Sequence, residues 1–474
     1  MADRPLVLFV HSVDTEGPLY ESLGGTFERL HDLYGLSGIE ATPENLDHLK
    51  RGEIPLGGME QAVAQTLDHH RLSYNDTWEK IDEMLARVLA PAFRRRLVDS
   101  FGNGWIYNWF CVDHVGYTIN PRRRDIGYHN IFDHYRQVLA QHRATEDGIH
   151  WHFHPMSTYR EAHRSGTSYV NSPELYQILC RRIIEQHWFP SVFRAGFHVE
   201  RPDSHWFLEQ WIPFDLSNIA VNAADESHHT NDRREGSQGD WRLAPSDWSV
   251  YHPSHDNYQV PGGCRRWIGR ILNVMNRFAS INQREVDKAF ARAAHTRSPV
   301  LVGMVSHDFR DLGVEVEHLM ELARIASQRY PGIPFKYAEA RDAFRTVIWP
   351  DGIRESALEF EVVVHPRSAE EWPFLEVVTT QGKVFGPQPF LAIEMGGGRF
   401  LHDNFDFSPS GDRWSYAFGP DTVRPADVVR VGVAANDQYG NVCVRVLDMA
   451  AILSGAGKPA RVRHELAKRR SRSP

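Results

Sequence analysis

The sequence predicts an α/β protein: a (β/α) barrel-like domain over residues 1–345, then a small all-β sandwich over 346–455. Three observations predict it. A buried, β-branched run opens the chain and ends in acids. Strand-like and helix-like segments then alternate as far as about residue 345. After Trp349-Pro350 the composition changes to short β-type runs. At 474 residues the chain also exceeds the size at which one hydrophobic core stops growing.

Residues 6–13 form an apolar run without alternation, as in a strand buried on both faces. It ends in Asp14-Thr15-Glu16-Gly17-Pro18, which sets two carboxylates at the C-terminal end of a buried strand, where barrels and open α/β sheets assemble their sites. Residues 20–145 read as mainly helical. Asn75-Asp76-Thr77 caps a helix over 78–89, and a Gly/aromatic segment over 101–110 interrupts the pattern. Residues 149–154 read as a short strand, 173–188 as a helix, 191–196 as a strand, 286–294 as a helix, 300–305 as an apolar strand and 315–329 as the helix after it. Past a linker near 345–356, β-type runs at 358–364, 374–379, 390–394, 399–407, 413–418, 428–434 and 442–447 are separated by Gly, Pro, Asn and Asp.

Composition narrows the class. Hydrophobic residues at 42% and charged residues at 24% exclude a largely disordered chain. The apolar run at 6–10 is too short for a signal-peptide core, and no stretch approaches the roughly 20 apolar residues needed to cross a bilayer. Cys111, Cys180, Cys264 and Cys443 lie far apart without a CxxC pair, as reduced thiols of a cytoplasmic enzyme would. Net charge is −8, yet seven Lys and Arg residues face only Glu465 near the C-terminus, so residues 456–474 read as a basic, solvated, disordered tail. The 26 histidines raise the expectation of metal or acid–base chemistry without locating it.

His150-Trp151-His152-Phe153-His154-Pro155 supplies a location. In a helical turn His150 and His154 would face one side, whereas a strand would align all three histidines; spacing alone does not choose the pair. Pro155 favours a strand-end loop. Two imidazoles need a carboxylate to complete a divalent-metal site, and Asp14 and Glu16 offer one ligand and one proton acceptor. An acidic turn also serves as a cap or ion-pair partner, the plainer role. Arg194, in Phe193-Arg194-Ala195-Gly196-Phe197, follows a predicted strand and is placed to orient a carboxylate. His307, in Ser306-His307-Asp308, closes the apolar strand at 300–305.

Together, and in this order, these segments resemble the polysaccharide deacetylase family, carbohydrate esterase family four with its NodB-type homology domain. The likeness covers about residues 5–345. It implies a distorted (β/α) barrel of the polysaccharide-deacetylase type, which hydrolyses an acetyl group with a bound divalent metal. It also implies roles: Asp14 as general base, Glu16, His150 and His154 as metal ligands, Arg194 orienting Asp14, His307 protonating the leaving amine, and Asp215 as an acid near the site. The chain departs from the family pattern in having Asp-x-Glu for adjacent aspartates, which leaves the roles of Asp14 and Glu16 exchangeable, and Arg-Ala-Gly for Arg-x-Pro. The long stretch between the first two motifs carries Trp105, Tyr107, Trp109, Phe110 and Arg122-Arg123-Arg124, which would shape a pocket for a charged sugar unless the aromatics simply pack.

The expected activity is therefore metal-dependent deacylation of an N-acetylated amino sugar or related intermediate, free or carrier-linked. Zinc is the first expectation for the ion, with iron, cobalt, nickel and manganese as alternatives. A C–N hydrolase acting on a cyclic amide or ureide is one alternative; a non-catalytic carbohydrate-binding protein is another. No nucleic-acid or membrane partner is expected, and a homo-oligomer is compatible.

Overall fold

The computed structural model describes residues 4–122, 128–166, 168–221, 239–276, 278–366, 372–449 and 460–462. Seven parallel strands close into a barrel: β1 (Leu6–Thr15), β2 (Tyr107–Asp113), β3 (Gly148–Phe153), β4 (Val192–Ala195), β5 (Phe214–Asn218), β6 (Trp267–Asn273) and β7 (Pro299–His307). β1 joins the ends of the sheet. It pairs with β7 from Leu6 to Asp14, with β2 along its second half, and with the short β8 (Phe335–Tyr337) along its first half.

Strand alternation decides what faces inward. Leu8 and Val10 of β1 join Phe110, Val192, Phe214, Leu216, Ile271, Leu301 and Val305 in one buried cluster, so the even positions of β1 line the interior. Ala340, Ala343 and Phe344 of the helix Ala340–Ile348 complete this cluster, with Phe344 stacked on Phe214 at 4.8 Å between ring centroids. Full burial of each large apolar side chain contributes about 1.5–3 kcal/mol. Ser12 and Asp14 continue the inward face of β1, which is why the acids emerge at the mouth rather than among the outer helices.

The segment at 101–110, expected as an interruption, leads into β2. Trp105, Tyr107, Trp109 and Phe110 are all buried. Trp105 Nε1 donates to His11 Nδ1 and Trp109 Nε1 to Asp147 Oδ2, so both rings are held in the packed interior. Strands β5 and β6 escaped prediction because each carries charge that tertiary partners neutralise: Asp215 pairs with Arg266, and Arg270 with Glu285. No helix among the described residues is long and apolar enough to cross a membrane.

The chain divides into two units. The first comprises Met1–Ser172, Val192–Trp206 and Phe214–Ile353; the second comprises Pro173–Ser191, Phe207–Pro213 and Arg354–Pro474. The second unit therefore takes two internal segments that a boundary near 345–356 does not anticipate. Its strands are β9 (Glu359–His365), β10 (Phe374–Gln381), β11 (Phe390–Met395), β12 (Arg399–Asp403), β13 (Asp406–Phe407), β14 (Arg413–Ala417), β15 (Val428–Asn436), β16 (Val442–Asp448) and β17 (Ala460–Val462). They form two antiparallel sheets, ordered β13-β14-β10-β9-β17 and β12-β11-β15-β16. Val362 and Leu375 of one sheet share a core with Ile393 and Val433 of the other. β17 corrects the expectation of an entirely disordered tail, because Ala460–Val462 pairs with β9; the rest of 456–474 lies outside the described residues.

Candidate metal centre

Backbone register determines which side chains share the barrel mouth. Asp14 of β1 lies beside His307 of β7, and His152 of β3 lies beside Arg194 of β4. Glu16 stands one residue past β1, where Gly17 adopts φ 74° and turns the chain away, a conformation that any side chain would strain. His154 stands one residue past β3. A Cβ at Gly196 would come within 2.4 Å of the His154 ring, so glycine there makes room for the imidazole.

Six side chains converge. The Nε2 atoms of His152 and His154 are 3.0 Å apart. Glu16 Oε1 lies 3.6 Å from His154 Nε2 and 3.9 Å from His152 Nε2. Asp14 Oδ2 lies 3.5 Å from His152 Nε2 and 3.7 Å from His307 Nε2, and His307 Nε2 lies 3.9 Å from Glu16 Oε1. Arg194 Nη1 forms an ion pair with Asp14.

This donor set fits a divalent ion. Two imidazole nitrogens about 2.0–2.1 Å from a tetrahedral ion stand about 3.3 Å apart, close to the separation of His152 and His154. His152 Nδ1 donates to the carbonyl oxygen of Arg194 at 3.0 Å, which leaves the Nε2 lone pair facing the cluster; the approach of Arg194 Nη1 to the same nitrogen, at 3.4 Å, is the weaker competitor. Glu16, His152 and His154 form one buried group able to hold an ion, and Asp14, Glu16 and His307 form another that shares Glu16. The ion pair with Arg194 already balances Asp14, so the first group is the better cation site.

Electrostatics follow from burial. Burial raises the Asp14 carboxyl to about 7; Arg194 opposes the rise and Asp308 adds to it. A cation beside Asp14 would favour its ionised form. His152 is held well below the ordinary histidine range, first by burial and then by the charges of His154 and Arg194. His114 is lowered in the same way by burial and by His154, on which its ring stacks at 4.7 Å. Neutral imidazole is the form that ligates a metal.

The structure thus brings together Asp14, Glu16, His154, Arg194 and His307. It does not bring His150. That residue faces inward on the same strand but lies deeper, with Nε2 at 3.1 Å from both Asn108 Oδ1 and Glu339 Oε1. The pair His150 and His154 implied by the family motif is corrected: the segment is a strand end, as Pro155 suggests, alternate residues of a strand share a face, and His152 and His154 are the two that reach the mouth. Asp215 is also corrected. Phe214 and Leu216 on either side of it belong to the barrel interior, so Asp215 faces outward, where Arg266 joins it to Glu200 in a buried cluster. Burial and the neighbouring Glu200 raise the Asp215 carboxyl well above its ordinary range, as suits two carboxylates sharing one guanidinium.

Sequence reasoning missed three positioning residues. Asp308 accepts from Glu16 N at 2.8 Å and Gly17 N at 2.9 Å, and from the Tyr135 hydroxyl at 2.9 Å, while its own N donates to Asp14 O at 3.2 Å. It clamps the acidic turn to the end of β7. His198 accepts from Arg194 Nη2 at 2.9 Å, and His114 backs His154. Only Asp308 carried a signal, its adjacency to His307. Of the basic run, Arg122 is described, and Arg123 and Arg124 lie outside the described residues. No family model, curated protein or solved structure matches this chain.

Proposed function

We propose that this protein is a metal-dependent hydrolase that removes an N-acyl group from an amino sugar or a sugar-containing intermediate. The observation that carries the reading is the convergence of Glu16, His152 and His154 beside an Asp14–Arg194 ion pair, with His307 across from it. A divalent ion on Glu16 and the two imidazoles, zinc in the first instance, would polarise an acyl carbonyl and lower the pKa of a water toward neutrality.

The chain's own residues supply the rest. Asp14, oriented by Arg194, accepts the proton of the attacking water, and Arg194 is held in turn by His198. His307 is 19% exposed, whereas the other five side chains are 5% or less, so it is the group best placed to hand a proton to a departing amine. Asp308 keeps Glu16 and Asp14 in register with His307.

The test is elemental analysis of the purified protein followed by acetate release from a panel of N-acetylated sugars, with a cyclic amide and a ureide included. Activity on the sugars that depends on a bound ion supports the reading. Turnover of the ring amides alone replaces the substrate class, and a chain that binds no divalent ion refutes the mechanism.

A further inference from the structure

His114 stands at the mouth beside the candidate ligands. Phe110 of β2 faces the barrel interior, and strand alternation carries Val112 and then His114, one residue past β2, to the same side. His154 N donates to Asp113 O at 3.2 Å, which continues the pairing of β2 with β3 and sets His114 alongside His154. The two imidazoles stack with centroids 4.7 Å apart and planes 20° from parallel, and the Tyr117 ring packs against His114 at 5.4 Å. Thr118 N donates to Arg160 O and Ala162 N to Ile119 O, so the loops that follow β2 and β3 are bonded into one wall.

The His114 ring is 2% exposed, yet among the described residues it makes no hydrogen bond or ion pair. The other six buried histidines among those residues all have polar partners, such as Ser306 for His11, Asn108 for His150 and Arg266 for His205. Buried polar groups are ordinarily hydrogen-bonded, so this exception points to a partner from outside the chain. Neither His114 nitrogen is sealed from solvent, and the polar edge opens into the mouth. The stack also keeps His114 from sharing an ion with His154. Imidazole lone pairs lie in the ring plane, and planes so near to parallel do not converge on a point about 2 Å from each ring.

We propose that His114 is a substrate-binding residue whose free imidazole edge takes a hydroxyl of the acylated sugar. The sugar as substrate rests on the deacylase reading; the unpartnered edge does not. In that reading Asp14 and His307 serve the water and the departing amine, so the group that meets His114 belongs to the part of the substrate that does not react. A hydroxyl both donates and accepts, and so pairs with either tautomer of a neutral imidazole. His114 thus acts on the choice of substrate rather than on bond cleavage.

Two probes are titrated calorimetrically into the full, zinc-loaded chain: N-acetylglucosamine, and N-cyclohexylacetamide, which keeps a six-membered ring and the acetamido group but has no hydroxyl. His114→Phe should weaken N-acetylglucosamine about three- to tenfold, the scale of one lost hydrogen bond, and leave N-cyclohexylacetamide unchanged. His114→Gln, which keeps a donor and an acceptor, should recover part of the loss. Zinc content in His114→Phe should match the wild type, because a ring there keeps the stack on His154. A role confined to backing His154 predicts the reverse, zinc lost in His114→Gln and normal sugar binding in His114→Phe, and that outcome overturns the proposal. So does a wild type that does not bind N-acetylglucosamine, or a His114→Phe variant that loses both probes equally. Acetate release from sugars that ignores His114→Phe removes the contact and keeps the deacylase reading. Sugar binding that depends on His114 in a chain that releases no acetate removes that reading and keeps the contact.

Discussion

His152 and His154 approach each other Nε2 to Nε2 at 3.0 Å, although both belong to one strand end and its first following residue. Two ring nitrogens meet head-on in this way when a cation or a shared proton lies between them. His152→Gln and His154→Gln are each expected to lose the ion, and His150→Leu to retain it, as read by elemental analysis. His150→Leu instead leaves Glu339 without its partner and should cost about 1–3 kcal/mol in chemical denaturation. Loss of metal from the His150 variant alone would reverse the ligand assignment.

Asp14 and Glu16 are two residues apart and both lie near His152 and His307, but Asp14 pairs with Arg194 whereas Glu16 lies beside His154, so they should separate by phenotype. Asp14→Asn is expected to keep the ion and slow turnover by about 10²–10⁴, and His307→Ala to do the same. Glu16→Gln should release the ion. A stripped Asp14→Asn beside a loaded Glu16→Gln would exchange the two roles.

Asp308 holds the backbone of Glu16, the residue that carries a candidate ligand. Asp308→Ala should weaken metal affinity by about 10–100-fold, the usual effect of removing an outer support. Asp308→Asn, which keeps an acceptor oxygen, should recover part of it. Unchanged metal affinity in Asp308→Ala, measured by competition with a chromogenic chelator, would remove Asp308 from the site's support.

The Glu339 carboxylate provides a pH test independent of the metal. Burial works against its charge, but hydrogen bonding and charge from His150, with Arg341 beyond, hold it down at about 2 against an ordinary 4.5. A folded-state value below the unfolded one means stability that is present above the unfolded value and lost as pH falls through the folded one. The contribution is at most about 3 kcal/mol and should fade between pH 4.5 and 2. Denaturation of the wild type and Glu339→Gln at pH 6, 4 and 3 measures it; the two should converge at the acid end. A gap that stays constant across this range would show that the pair carries no linkage.

Much of the barrel was legible because its first and last major strands, β1 and β7, are long apolar runs and because strands in a parallel sheet are buried on both faces. Strands β5 and β6 were not, since Asp215, Ser217 and Arg270 interrupt the apolar pattern and are tolerated only through distant partners such as Arg266 and Glu285. The acids at the end of β1, the arginine of β4 and the histidine closing β7 were legible as residues at strand ends. Their convergence depended on register, which no local pattern encodes.

The sequence by itself determined the alternation of strands and helices, the shift to short β-runs after Trp349, and the supply of carboxylates and imidazoles at strand ends, because these follow from periodicity and turn chemistry within a few residues. Tertiary structure alone decided that His152 rather than His150 joins His154, that Asp215 faces away, and that Asp308 braces Glu16. Each of those outcomes depends on which strands lie side by side and in what register, and closing a barrel sets that through contacts between residues as much as about 290 positions apart.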